Sequence, residues 1–199
     1  MRVRVSAFVA ALLAAGSGVP SARAAGPEVW GVAEEARMAA EAASWAPPDF
    51  KRQLARNSRR LMQGVADAAA GDRLEPGASA NRDAAARGAR ALAAAIRRHD
   101  PFDSVAYQAG AILHAAAMAY APDEPPAAPS ASAFLGFPAE PFAAPEGLAA
   151  AQLPAGTAAE RRSAAITLAA RLFAWTWKTA GGDASIVKQY PESKGPYPP

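Results

Sequence analysis

The sequence predicts an all-α protein: a single-domain bundle of about five helices with a long proline-rich loop. Alanine-rich segments carry apolar side chains at spacings of three and four residues, the period of a helix with one buried face. No segment has the apolar–polar alternation that is typical of a half-buried strand. Alanine dominates the apolar residues and buries little area, so the helices should pack closely over a thin core.

Residues 1–24 are predicted to be a signal peptide. Arg2 and Arg4 form a basic start, an apolar stretch follows from Val5 to Gly16, and Ala22-Arg23-Ala24 matches an A-x-A cleavage site. The apolar stretch is shorter than the ~20 residues that a membrane span needs. We therefore expect an exported protein, periplasmic or extracellular, with no membrane span after cleavage. Retention of the segment as an N-terminal anchor is the alternative.

The predicted domain covers residues 25–182, and its first helix runs from about Trp30 to Ser44. Pro47-Pro48 stops this helix, because proline lacks the amide donor and biases its predecessor away from helix. Asp49 is the expected N-cap of the second helix. A break near Asn57-Ser58 is the alternative to one continuous helix. Its apolar positions recur at gaps of four, seven and four: Phe50, Leu54, Leu61 and Val65.

Three further helices are predicted. The third runs from about Arg82 to Arg98, and the fourth follows "HDPFD" with Asp103 as its N-cap. Residues 121–155 hold eight prolines, which predicts a wrapped, irregular or partly disordered loop. The last helix opens with the capping box of Thr157 and Glu160 and ends at Gly181-Gly182. The tail, residues 183–199, should be extended or disordered.

The composition argues against two classes of protein. Three of the 21 basic residues, and none of the 18 acidic residues, lie in the predicted signal peptide. The predicted mature chain therefore has 18 basic and 18 acidic residues and no net charge. A neutral domain lacks the long-range field that attracts phosphate backbones, so no nucleic-acid partner is predicted. The chain contains no cysteine, and an exported protein without cysteine has no disulfide framework.

One of the two histidines, His114 in "AGAILHAAAMAY", bears on whether the protein binds a metal. A metal site on a helix needs a second donor four residues on, but that position is Met118, whose thioether zinc does not favour. The simpler interpretation is that His114 bonds to a buried backbone carbonyl or a tyrosine, while Gly110 admits a neighbouring helix. The alternative is a metal ligand whose partners lie elsewhere in the chain.

The other polar motifs each have a structural and a functional interpretation. His99 fits a solvated end of the third helix, where a cation suits the helix dipole. Glu34 and Glu35 fit the start of a helix or an acid–base pair. The run "RQLARNSRR", residues 52–60, fits a solvated face or an anion-binding surface. The chain contains no nucleophile elbow, phosphate loop or dinucleotide fingerprint, so we predict no catalytic residue and no cofactor.

Three segments carry a family resemblance. "WGVAEEARMAAEAASWAPPDFKRQLARNSRRLMQGVADA" opens with a Trp-Gly pair, "VAYQAGAILHAAAMAYAPDEP" holds His114 on a helix, and "RLFAWTWKTAGGD" is a late helix. Together they resemble the zinc-dependent phospholipase C family and its single-strand nuclease relatives, over about three-quarters of the predicted mature chain. In that family a histidine lies five residues after the tryptophan, an aspartate follows the second helix, and a later helix carries H-x-x-x-D.

Carried over to this chain, the resemblance implies three candidate metal ligands. Glu35 stands five residues after Trp30, Asp67 fits the early aspartate, and His114 fits the histidine of H-x-x-x-D. Met118 replaces the aspartate of that motif, and no second such motif follows. The family's trinuclear zinc cluster takes roughly nine donors. The resemblance therefore implies a member that has kept the fold and lost the hydrolase, with one site for a single zinc as the upper limit.

Three hypotheses follow from the sequence. The first is a non-catalytic, exported protein with a structural or interaction role and an unknown protein or envelope component as its partner. The second is a metal-assisted phosphoester hydrolase with a reduced site at His114, Asp67 and Glu35. The third is an envelope-binding module that uses residues 121–155 or the Tyr-Pro tail. We favour the first.

Overall fold

A computed structural model of the chain describes residues 30–71, 77–122, 133–138 and 144–182. These ranges contain α-helices and no strand, which confirms the predicted all-α fold. The predicted signal peptide, the tail and part of the predicted proline-rich loop lie outside the described residues. The helices are α1 (Val32–Ser44), α2 (Pro48–Arg56), α3 (Ser58–Gly71), α4 (Ala78–Arg97), α5 (Phe102–Ala119), α6 (Pro145–Ala150) and α7 (Ala158–Thr179).

Asn57 separates α2 from α3, so the predicted second helix is two helices. The Asn57 backbone leaves the helical region, at φ −108° and ψ 26°. Its side-chain Nδ2 donates to the Gln53 carbonyl oxygen at 2.9 Å. An asparagine that bonds to its own preceding turn competes with the regular helical hydrogen bonds. The Asn57 carbonyl oxygen then accepts from the amides of Arg60 and Leu61, which begins α3.

Three predicted helix starts were wrong by a few residues. Helices α2 and α5 each begin immediately after a proline in extended conformation. Proline suits the start of a helix because the first backbone amides of a helix have no hydrogen-bond partner within the helix. The predicted cap aspartates lie inside the first turn instead, where carboxylates still favour the helix dipole. Helix α4 begins before Arg82, after Gly77 at φ +120°. The cap residues are Pro47 in place of Asp49 and Pro101 in place of Asp103.

The predicted irregular segment 121–155 contains the short helix α6. Pro145 occupies its first turn, and Leu148 and Ala149 are buried against the core. Arg90 of α4 donates two hydrogen bonds to the Glu146 carboxylate, from Nε to Oε1 at 2.6 Å and from Nη2 to Oε2 at 2.5 Å. Six residues among prolines give too little periodicity to predict a helix. Packing and the contact with α4 define it instead.

The capping box predicted for the last helix is confirmed. The Glu160 amide donates to Thr157 Oγ1 at 3.2 Å, and the Thr157 amide donates to Glu160 Oε2 at 2.8 Å. Each side chain thus satisfies an amide that the first turn of α7 leaves without a partner.

Helices α5 and α7 form the centre of the bundle. Helix α5 contacts α3 on one side and α4 on the other, while α7 contacts α1, α4 and α5. Every residue of α7 from Arg162 to Thr176 is buried. The alanines of both helices leave room for this all-round packing. Among the described residues, none of the helices has the length and apolarity that crossing a membrane requires.

Two glycines set the approach of α3 to α5. A Cβ at Gly64 would lie far inside van der Waals contact with the backbone carbonyl of Tyr107. A Cβ at Gly110 would meet the Leu61 carbonyl oxygen and the Val65 amide in the same way. Backbone atoms cannot rotate away as a side chain can, so both positions require glycine.

Arg162 of α7 ties α1 to the centre through two carboxylates. Its Nε donates to Glu34 at 2.6 Å and its Nη1 to Glu41 at 2.8 Å. Burial raises the pKa of Glu34, but hydrogen bonds and charge from Arg162 and Arg37 outweigh burial and hold that pKa below its ordinary value of 4.5.

We predict that Gly110→Ala lowers the free energy of unfolding by about 1–3 kcal/mol, because α3 and α5 must move apart. The thermal midpoint, followed by circular dichroism, should fall by about 2–4 °C per kcal/mol. The control is Gly71→Ala at the end of α3, where an added Cβ meets nothing within 4 Å. An unchanged midpoint for Gly110→Ala would contradict the close crossing.

We predict that Glu34 makes stability fall in acid. A carboxyl group with a lowered folded-state pKa contributes stability that is present above the unfolded value of 4.5 and is lost as the pH falls through the folded value. Urea unfolding between about pH 3 and about pH 7 should therefore show a smaller loss in Glu34→Gln than in the wild type. Asp83→Asn, at an exposed position of α4, is the control and should follow the wild-type curve.

Candidate functional site

His114 of α5 contacts Glu35 of α1 in the interior of the bundle. His114 Nδ1 lies 2.7 Å from Glu35 Oε2, and the two side chains are only 7% and 3% exposed. Glu35 lies in the first turn of α1, on the same buried face as Met38 and Ala42. That face packs towards α5, which brings residues 79 positions apart in sequence into contact.

The Glu35–His114 bond fixes the orientation of the imidazole. In the neutral tautomer in which Nδ1 donates its hydrogen to the carboxylate, Nε2 carries the lone pair. Among the described residues, Nε2 has no hydrogen-bond partner. Nδ1 is therefore held by Glu35, and Nε2 in that tautomer can accept a hydrogen bond or bind a cation.

A cavity of about 380 Å³ between α3 and α5 borders His114. The cavity combines small side chains, which make room, with three groups that can bond to a ligand. Glu35 does not line it, because this residue lies behind the imidazole on the side of α1. The lining residues are Gly64, Asp67, Ala68, Gly71, Tyr107, Ala111 and His114.

Tyr107 and Asp67 form a second polar pair at this cavity. Burial, the charge of Asp67 and a hydrogen bond to Asp67 all raise the pKa of Tyr107. The two groups are therefore close enough for the carboxylate to favour the neutral, protonated phenol. Gln63 Nε2 also approaches Asp67 Oδ2, at 3.5 Å. Tyr107 is 36% exposed, so this pair is open to solvent, unlike the Glu35–His114 pair.

The three predicted ligands are brought to one region but not to one metal site. Asp67 and His114 line the same cavity, and Glu35 bonds to His114. Among the described residues, no three His, Asp or Glu side chains are grouped so that they could hold a metal ion. The partner predicted for His114 in the simpler interpretation, a carbonyl or a tyrosine, was wrong: the partner is a carboxylate.

Sequence reasoning missed the Tyr107–Asp67 pair, although a signal was present. Tyr107 precedes His114 by seven residues, which places both on one face of α5. Trp30, the first residue of the family resemblance, is buried, and its Nε1 donates to the Ala117 carbonyl oxygen at 3.2 Å. Trp30 therefore anchors the start of α1 to α5, one turn beyond His114.

The remaining predicted motifs lie away from this site. Glu34 and Glu35 are not a pair, since Glu34 turns to Arg162 and Glu35 to His114. His99 is exposed just after the end of α4, at φ +60°. The 52–60 run is largely exposed. Arg52 forms an ion pair with Asp49, and Arg60 forms one with Asp103 at 3.5 Å.

We predict that Glu35→Ala lowers the free energy of unfolding by about 1–3 kcal/mol, because it leaves the buried His114 Nδ1 without a partner. Glu35→Gln keeps an acceptor oxygen at the same place and should cost less. Urea unfolding at neutral pH measures both. Equal stability of Glu35→Ala and the wild type would show that the bond contributes nothing.

Comparison of the chain with protein-family models, with curated proteins and with solved structures finds no match.

Proposed function

We propose that this chain is an exported, non-catalytic all-α protein with a structural or interaction role, related to the zinc-dependent phospholipase C class but with most of its metal ligands lost. The observation that carries the proposal is the Glu35–His114 bond of 2.7 Å. Glu35 stands where the resemblance expects a zinc-binding histidine, and its carboxylate oxygen is engaged by the imidazole instead.

The donor set around the cavity also supports this proposal. A catalytic zinc takes three protein ligands and keeps a fourth position for water. The α3–α5 cavity offers one imidazole nitrogen from His114 and one carboxylate from Asp67. The Asp67 carboxylate is also close enough to Tyr107 to raise the pKa of the phenol. The trinuclear cluster of the resembled family does not fit these residues.

An interaction role fits the size and chemistry of the cavity. Its volume of about 380 Å³ lies within the range of small-molecule sites. His114 Nε2 and Asp67 are acceptors, and Tyr107 is a phenol at the more exposed side. We infer that the partner, a protein or an envelope component, presents hydrogen-bond donors to this region.

The second candidate is a metal-assisted phosphoester hydrolase with a reduced site at His114, Asp67 and Glu35. The observation that favours it is the orientation of His114, because a carboxylate on Nδ1 is the outer-shell partner that metal-bound histidines commonly have. His114 and Asp67 would bind the cation, and Glu35 would orient the imidazole. A bound cation would supply Lewis acidity.

We predict that the protein, equilibrated with zinc and then dialysed, retains much less than one zinc per chain by elemental analysis and hydrolyses no phosphodiester. The matched variants are His114→Asn at the cavity and His99→Asn at the exposed end of α4. Asparagine tolerates the positive φ of His99, so both substitutions remove only an imidazole.

The variants separate the two candidates. One zinc per chain that is lost in His114→Asn and Asp67→Asn but kept in His99→Asn, together with phosphodiesterase activity, would establish the hydrolase and reject the first proposal. Zinc lost in both histidine variants would indicate surface binding. Circular dichroism of each variant confirms that the fold is retained.

A further inference from the structure

Helix α7 buries two arginines that have very different surroundings. Arg162 is 7% exposed and donates to two carboxylates, those of Glu34 and Glu41. Arg171 is 8% exposed, and its Nε donates to the Gly136 carbonyl oxygen at 2.9 Å. Among the described residues, no carboxylate contacts Arg171. Within the described part of the chain, the guanidinium of Arg162 therefore has carboxylate partners, and the guanidinium of Arg171, nine residues later on the same helix, has none.

The Arg171–Gly136 bond is one of three hydrogen bonds that attach residues 133–138 to α7. The Ala133 amide donates to Ser163 Oγ and the Leu135 amide to Thr167 Oγ1, both at 3.0 Å. Ser163, Thr167 and Arg171 follow at intervals of four and therefore lie on one helix face. These bonds account for Nε of Arg171, and within ranges 30–71, 77–122, 133–138 and 144–182 its two terminal nitrogens have no hydrogen-bond partner.

The buried phenol of Tyr120 lies within reach of the charges of two arginines, Arg171 of α7 and Arg82 of α4. Tyr120 follows α5 and is 5% exposed, and its hydroxyl oxygen is buried without a normal hydrogen bond in the described part of the chain. Burial raises the pKa of Tyr120, while the nearby charges of Arg82 and Arg171 act in the opposite direction. Arg82 of α4 is half-buried. The region thus brings together two cations and a hydroxyl donor.

An unpaired buried charge is unfavourable, because desolvation is not offset by a counter-charge. Arginine stays protonated in proteins, so it cannot relieve the cost by releasing a proton. A guanidinium presents parallel N–H groups that match the two oxygens of a carboxylate or phosphate. An oxyanion is therefore the group whose chemistry matches an arginine that has no carboxylate partner among the described residues.

We propose that Arg171, Tyr120 and Arg82 bind a small oxyanion, a carboxylate or a phosphate group, where α4, the end of α5 and α7 meet. The terminal nitrogens of Arg171 donate to two of its oxygens, the Tyr120 hydroxyl donates to one of them, and Arg82 supplies the second positive charge. This site is separate from the α3–α5 cavity and does not depend on the function proposed for that cavity.

Thermal unfolding of the full chain in inorganic phosphate, in acetate and in chloride at equal ionic strength tests the proposal. A ligand that binds only the folded state at 100 times its Kd should raise the midpoint by about 5 °C or more. A larger shift with phosphate assigns a phosphate group, and a larger shift with acetate assigns a carboxylate. Calorimetric titration of the anion that gives the larger shift measures its Kd directly.

The variants are Arg171→Met and Tyr120→Phe, with Arg162→Met as the matched control. In chloride, Arg171→Met should keep or raise the midpoint, since it removes an unneutralised charge, and Arg162→Met should lower it by leaving Glu34 and Glu41 unpaired. The anion-induced shift should vanish in Arg171→Met, weaken several-fold in Tyr120→Phe and persist in Arg162→Met.

Three results would overturn the proposal. The first is the absence of any shift or heat with either anion. The second is an equal shift in the wild type and in both site variants, which would mean nonspecific anion binding. The third concerns Asp123, Glu124 and Glu140, acidic residues that follow Tyr120 or Gly136 by three or four positions in sequence and lie outside the described residues. If anion binding appears only after these are changed to amides, a carboxylate of the chain itself neutralises Arg171.

Discussion

The close crossing of α3 and α5 is the constraint on which the candidate site depends. The two backbones meet at Gly64 and Gly110, where no side chain fits between them. Asp67 lies one turn after Gly64, and Tyr107 and His114 lie one turn before and after Gly110. The crossing therefore places all three side chains around one cavity. Larger residues at the glycines would separate the helices and the polar groups with them.

The buried charges are arranged around α1 and α7. Glu34 and Glu35 are neighbours in α1, and successive helical residues point about 100° apart. One carboxylate therefore reaches Arg162 of α7, and the other reaches His114 of α5. Helix α1 is bonded to both central helices through adjacent residues. A bundle with so much alanine gains little from each buried side chain, so these specific bonds fix which faces meet.

The sequence predicted what local physics determines. The α7 capping box and the stops at Pro47 and at Gly181-Gly182 depend on residues a few positions apart, and they were located correctly. The exact starts at Pro48 and Phe102 were not, because a proline and a nearby aspartate both suit a first turn. The Glu35–His114 bond was not predictable from spacing, since 79 residues separate its partners. Only the family resemblance had placed these two residues in one site.

Under the proposed kinship, position 35 holds a glutamate where the resembled family has a histidine, and this difference affects how His114 is bonded. A histidine there could still hydrogen-bond to His114, but such a bond between neutral rings would lack the charge that an ionised carboxylate brings. A carboxylate there bonds to His114 directly and satisfies itself without a metal. Glu35 can be buried because His114 Nδ1 lies 2.7 Å from its carboxylate and so provides a hydrogen-bond partner inside the protein. Under the proposed kinship, loss of the metal and stabilisation of the α1–α5 contact are therefore two consequences of one substitution.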